Sequence, residues 1–452
     1  MSEFVTEQLA GWAIGLQSAD LPEDVLDKAG DCILDAIACA VAGKDSLAAK
    51  RVGATAKRTF GPGTAAIWFA QGSLQPVGAA FVNAAMASAL DIDDGHRRST
   101  GHPGAAVVPA ALAMCQADDK GIDLLANVVA GYEVSVRGGM SEKHRSYHSG
   151  NYTGLGAATV VARANGLNAE ELMHALATTV YHGPRVADLT LSKDMGSNVK
   201  ESIPWSVVAG MMAADLAGEG FTGCRDAMDI TERYSPALAL EGLADGYFPK
   251  AQGGEGVTHA ILRTYFKRYA CCRWCHSAVE ALLRILRDND LPVSDIQHIH
   301  VDTFRQSAEL NNLSNPPSLE SAQFSVPFCM AVAAIRGENA LAPMEPGVLG
   351  NASVVDLARK ITVRHEPSMD PLFPGQNPSR VVVTTKGGQF DALVLSPWGE
   401  PDHPPSRDEL IVKFRSLAEG RLPDQQTEAI IAAVQALPSG TVGPLLETLK
   451  TK

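Results

Sequence analysis

The sequence predicts a mainly α protein, a large all-helical domain with a smaller α+β domain inserted into it. Three observations carry this. Residues 1 to about 265 read as helix after helix, many of them rich in Ala and Gly. After about residue 290, "IQHIHVDTF", "RVVVTTKGG" and "QFDALVLSP" alternate apolar and polar residues, as strands do. From "PPSRDELIVKFRSLAEG" onward the helical pattern returns, so the chain is expected to rejoin its first domain. The expected division is 1–265 plus 400–452 for the helical domain and 266–399 for an α+β lid, with a cleft between them.

The clearest helix is "DLPEDVLDKAGDCILDAIACAVAG". Val25, Ala29, Cys32, Ile33, Ala36, Ile37, Ala40 and Val41 repeat with a 3.6-residue period. Asp20 is the expected cap, Pro22 suits the first turn, and Gly43 should lie just past the end. "NAEELMHALATTV" opens with Asn168 and Glu171 in capping-box spacing. Small residues in "GLGAATVVARANGL" and "PWSVVAGMMAADLAG" should let helix backbones approach closely. In the lid, the helix "SAQFSVPFCMAVAAIRG" separates the first strand from the rest, and Gly387-Gly388 marks a hairpin.

Composition excludes some functions. With 38 Lys and Arg against 51 Asp and Glu, the net charge of −13 opposes a nucleic-acid or anionic-membrane surface. Acids stand where a secretory signal would be basic, and no apolar run nears 18 residues, so a cytoplasmic protein is expected. Cys272-Arg273-Trp274-Cys275-His276 spells a haem-attachment spacing. That chemistry belongs to exported proteins, and zinc would want a second Cys/His pair at close spacing. The eight cysteines are therefore expected to be packing residues, with no metal and no cofactor.

Four polar islands interrupt the apolar helices. "ALDIDDGHRRSTGHPGAAVVPA" places Asp91, Asp93, Asp94, His96 and His102 between two Ala-rich helices, where unpaired charge is costly. "EKHRSYHSGNYTGLGAA" brings His144, Tyr147 and His148 ahead of a Gly-rich helix start. Lys200 precedes a very apolar helix, where desolvation is expected to lower its pKa and make it a base. "FKRYACCRWCHSAVEALL" adds Lys267, Arg268, Arg273 and His276 near the domain boundary. Together the islands suggest a cationic cleft for acid/base work on a small carboxylate. Nucleophile-elbow, P-loop and dinucleotide fingerprints are absent from the sequence.

The order of these segments, with "ILDAIACAVAG" before them and "WGEPDHPPSRDELIVKFRSLA" after, resembles the MmgE/PrpD family essentially end to end. That family includes 2-methylcitrate dehydratase, cis-aconitate decarboxylase and iminodisuccinate epimerase. The resemblance implies a homodimer working without an organic cofactor on a small anionic carboxylate, and assigns Asp91, His102, Lys200, Lys267 and His276 to the site. Arg97, His148 and Arg273 are expected to help bind substrate. Tyr147 stands where the lyase branches usually have a His, with His148 next door; Phe328 and Cys272 also depart from the lyase pattern. A Tyr and a Lys are the pair expected of the epimerase branch. The sequence reading is thus an isomerase that epimerises a di- or polycarboxylate with Tyr147, Lys200 and His102 as catalytic residues. The alternative is a dehydratase or decarboxylase of the same family, with His102 or His148 moving the proton.

Overall fold

A computed structural model describes residues 4–143, 148–185, 192, 193, 195, 200–230, 232–249 and 256–451. Helix makes up 56% of the structure, with a small mixed sheet in the C-terminal part. The Glu23–Gly43 helix buries all eight periodic apolar residues, and also Lys28 and Asp35. Its ends differ from expectation. Pro22 is the N-cap, Asp20 closes a separate 3-10 turn, and Gly43 is still helical because Lys44 continues in the right-handed region. At Ala169–His182 the capping box forms as the spacing predicts: Asn168 accepts from the Glu170 and Glu171 amides, and Glu171 accepts from the Asn168 amide at 2.7 Å.

Small residues bring the helices together as their composition predicts. The Thr153–Ala164 helix packs against Gly121–Ser141 and against Ile203–Gly218. A Cβ at Gly210 would collide with the Gly154 carbonyl, so this crossing needs glycine. Large side chains here would force the two backbones apart.

Four strands form the mixed sheet, in the order Ile361–His365, Ile296–Thr303, Ser379–Thr385, Gly388–Val394. The first pair is parallel and the others antiparallel. Lys386-Gly387 makes the hairpin turn, one residue before the expected pair, and Thr385 faces Gly388. Ile361–His365 was not anticipated; it is a short strand at the edge of the sheet. The Arg273–Asp288 helix packs on the Ser379–Thr385 and Gly388–Val394 strands.

Apolar side chains gather in two main cores. One unites the helices up to about residue 270 with Leu410, Ile411, Phe414 and Leu417 of the Arg407–Ala418 helix. The other joins Met195 to side chains between Tyr269 and Val394. Arg407 and Lys413 fasten the returning helix to Asp31 and Asp35, at 2.7 and 2.5 Å. Among the described residues no helix is long and apolar enough to cross a membrane.

Candidate active site

The Pro76–Ser88 helix ends in a loop that carries Asp91, Asp93, Asp94, Arg97 and His102 into the interior. Asp91 (φ +50°) and Thr100 (φ +48°) sit in the left-handed region, as do Glu201 and Ser202 beside Lys200. Non-glycine residues in that region cost energy and tend to mark functional sites. Gly101 passes so close to Tyr152 and Ser149 that a Cβ would overlap both side chains. Gly95-His96 pairs antiparallel with Thr264-Tyr265, which brings the segment holding Lys267 alongside.

Asp91 is the centre of the site. Both Lys200 and Lys267 donate to its Oδ1, and His102 Nε2 lies 4.0 Å from the same oxygen. Asp93 stands 3.5 Å from Lys200 Nζ and 3.5 Å from His102 Nδ1. The His102 ring contacts the Asp94 carbonyl through Nδ1 at 2.5 Å. With a proton on Nδ1 donated to that carbonyl, Nε2 is the basic nitrogen, facing the lysines. Ser149 Oγ accepts from the His102 amide at 3.0 Å and itself donates to Glu201, joining the loop to the residue after Lys200.

Burial and charge set the protonation states. Burial opposes the Asp91 carboxylate, but Lys200 and Lys267 outweigh it and hold its pKa well below the usual range. Burial alone would lower the pKa of Lys200; Asp91 and Asp93 more than reverse this and raise it. This corrects the expectation of a lysine drawn toward neutrality: the apolar helix is there, but so is a carboxylate partner. His102 is pushed down to about 4 by burial and by Lys200, so its resting form is neutral. Asp94 is pushed up to about 7 by burial and by the Asp35 charge, and Tyr132 donates to it at 2.5 Å.

The structure therefore brings Asp91, His102, Lys200 and Lys267 together. Arg97, Arg273 and His276 form a second cluster. Arg97 Nε donates to Glu400 Oε2 at 3.1 Å, and Arg273 donates to Glu400 Oε1 through Nη2 at 2.5 Å. Both guanidinium groups lie over the Tyr265 ring, 5.0 and 4.8 Å from its centroid. His276 Nδ1 is 3.4 Å from Arg273, and Nε2 is 3.2 Å from the Cys271 carbonyl. A cavity of about 450 Å³ opens on this cluster, lined among others by Arg97, Arg98, Arg263 and Glu400. His148 is partly exposed, beside Ser149. Tyr147 and His144 lie outside the described residues.

Sequence reasoning missed Glu201 and Glu400. Glu201 adjoins Lys200, which was a usable signal; Glu400 sits in "WGEPDHPP", where nothing local indicates two arginine partners. Asp91, Asp93 and His102 have ligand atoms within 4.8 Å of one another, a spacing a cation could use. The two ammonium groups already occupy Asp91, so a metal ion there would have to displace them.

A family model described as the MmgE/PrpD N-terminal domain matches residues 7–242, and the MmgE/PrpD C-terminal domain matches 269–438. The chain is 27% identical to cis-aconitate decarboxylase of Aspergillus terreus (strain NIH 2624 / FGSC A1156), over 98% of this chain and 96% of that protein. It is 23% identical to the cis-aconitate decarboxylases of Mus musculus and Homo sapiens, over 97% of this chain and 91% and 92% of theirs. With the N-terminal and C-terminal domain models together matching most of its length, this chain belongs to the MmgE/PrpD family.

Proposed function

We propose that the protein is a cofactor-independent lyase that decarboxylates a small polycarboxylate of the cis-aconitate type. The observation that carries this reading is the pair of buried lysines sharing Asp91 beneath a neutral histidine. Lys200 and Lys267 serve as cations for substrate carboxylates, and Asp91 holds Lys200 as an ammonium group until substrate arrives. Decarboxylation breaks the bond to one carboxylate, releases carbon dioxide and leaves the electron pair on carbon, spread into a conjugated carboxylate. His102 takes a proton from solvent onto Nε2 as the substrate carboxylates bind and then gives it to carbon, so that R–CO₂⁻ plus H⁺ becomes R–H plus CO₂. The lysines stabilise the charge that moves onto the remaining carboxylates.

Epimerisation by Tyr147 and Lys200 fits less well. Inversion in both directions requires each partner to serve in turn as base, and Lys200 is held as an ammonium group by Asp91 and Asp93. Dehydration of a hydroxy acid keeps the same cations and uses His102 as the acid at the leaving hydroxyl. We also propose a homodimer, for which the exposed apolar side chains Trp205, Met212 and Leu216 offer a surface. The functional test is incubation with cis-aconitate, following vinyl protons by NMR and trapping carbon dioxide. Release lost in His102→Gln supports the assignment, whereas unchanged acid in the wild type counts against it.

A further inference from the structure

Away from the carboxylate site, Cys271, Cys275 and Cys329 lie with their Sγ atoms all within 4.8 Å of one another. All three are free thiols and fully buried. Cys275 is in the first turn of the Arg273–Asp288 helix, and Cys271 just precedes that helix. Cys329 belongs to Val326–Arg336, which packs against it. The sequence offers no second Cys/His pair at close spacing, but the fold delivers the third sulfur from a separate helix, where no spacing rule looks. Metal–sulfur bonds of about 2.3 Å place the sulfurs of a zinc site about 3.8 Å apart. A triangle with sides under 4.8 Å can contract to that size by small side-chain rotations.

We infer that Cys271, Cys275 and Cys329 form a buried site for a soft divalent cation such as zinc, tying the start of the Arg273–Asp288 helix to the Val326–Arg336 helix. Binding replaces three S–H bonds by three metal–sulfur bonds and releases three protons, which leaves one net negative charge. A monovalent ion would leave two, at greater desolvation cost. Zinc takes a fourth ligand; His276 follows Cys275 directly but lies outside the group of ligand atoms within 4.8 Å of one another, so the three sulfurs define the site. Cys271 follows Lys267 by four residues in the chain. The ion would therefore brace the segment through which Lys267 reaches the active site.

The test is metal content and thiolate spectroscopy on the full chain. Protein produced in zinc-supplemented medium should retain about one zinc per chain after dialysis. Cadmium-loaded protein should show a thiolate-to-metal charge-transfer band that disappears in Cys329→Ser and persists in Cys224→Ser, whose thiol is exposed. If Cys329→Ser does not fold, alkylation of the wild type in mild denaturant, mapped by mass spectrometry, serves instead. Cadmium should then protect all three cysteines together. Folded wild type without bound zinc and without the band, a band equal in Cys329→Ser, or alkylation unaffected by cadmium would each overturn the site.

Discussion

Substrate binding should drive proton uptake by His102. In the resting site this imidazole has a pKa of about 4, because it is buried beside Lys200 and Lys267. The Asp91 carboxylate lies 4.0 Å from Nε2, and a substrate carboxylate gripped by the same ammonium groups would lie at similar range. One added negative charge at about 4 Å and an effective dielectric of about 20 contributes about 4 kcal/mol, or about three pKa units. His102 would then titrate near pH 7, where it can both hold and deliver a proton. The assay is isothermal calorimetry with the unreactive propane-1,2,3-tricarboxylate, in buffers of differing ionisation enthalpy. Uptake should be about half a proton at pH 7 and about 0.9 at pH 6, and should vanish in His102→Gln. Equal uptake in His102→Gln, or none in the wild type at pH 6, would refute the reasoning.

Lys200→Met should reduce kcat/KM by at least about 100-fold while Asp91 keeps Lys267 as partner, a loss of about 3 kcal/mol in transition-state stabilisation; steady-state kinetics on cis-aconitate would show it. Asp91→Asn leaves two buried ammonium groups without their shared carboxylate and should lower stability by about 3–5 kcal/mol, read from urea midpoints. Glu400→Gln should cost a similar amount, because Arg97 and Arg273 both rely on that buried carboxylate. Asp94, raised to about 7 in the folded protein, makes stability rise as pH falls, so the His102 contribution is read as a difference: relative to His102→Gln, the wild type should lose stability as pH drops from 6.5 toward 4. Unfolded His102 takes a proton near 6.5 whereas the folded one resists until about 4, so the unfolded state binds more protons throughout that window. The difference between the two urea-midpoint profiles grows to at most about 3 kcal/mol across this window.

Much of the architecture was legible because local and tertiary signals agree. The period of Glu23–Gly43 and the alternation of Ser379–Thr385 follow from burial, and the capping box at Asn168 from local hydrogen bonding at an exposed helix start. The Ile361–His365 strand carries the same alternation in a shorter run; what the string does not convey is its parallel pairing with Ile296–Thr303. At the site, clustered Asp and His in one loop signalled buried charge that needed partners. What the string could not convey was which partner each group would find. Lys200 was read from the apolar helix after it, yet Asp91, remote in sequence, decides its protonation state. Arg97 and Arg273 were read as substrate cations, yet Glu400 binds both. The cysteines were read by linear spacing, which cannot register Cys329.

The most direct measurement is NMR in D₂O with cis-aconitate, 2-methylcitrate and iminodisuccinate, comparing wild type with His102→Gln and Lys200→Met. A lyase of the proposed kind releases carbon dioxide from cis-aconitate and gives an unsaturated dicarboxylate carrying one solvent deuterium, with both variants severely impaired. Deuterium exchange with inversion of iminodisuccinate, and no loss of carbon dioxide or water from any acid, would contradict it.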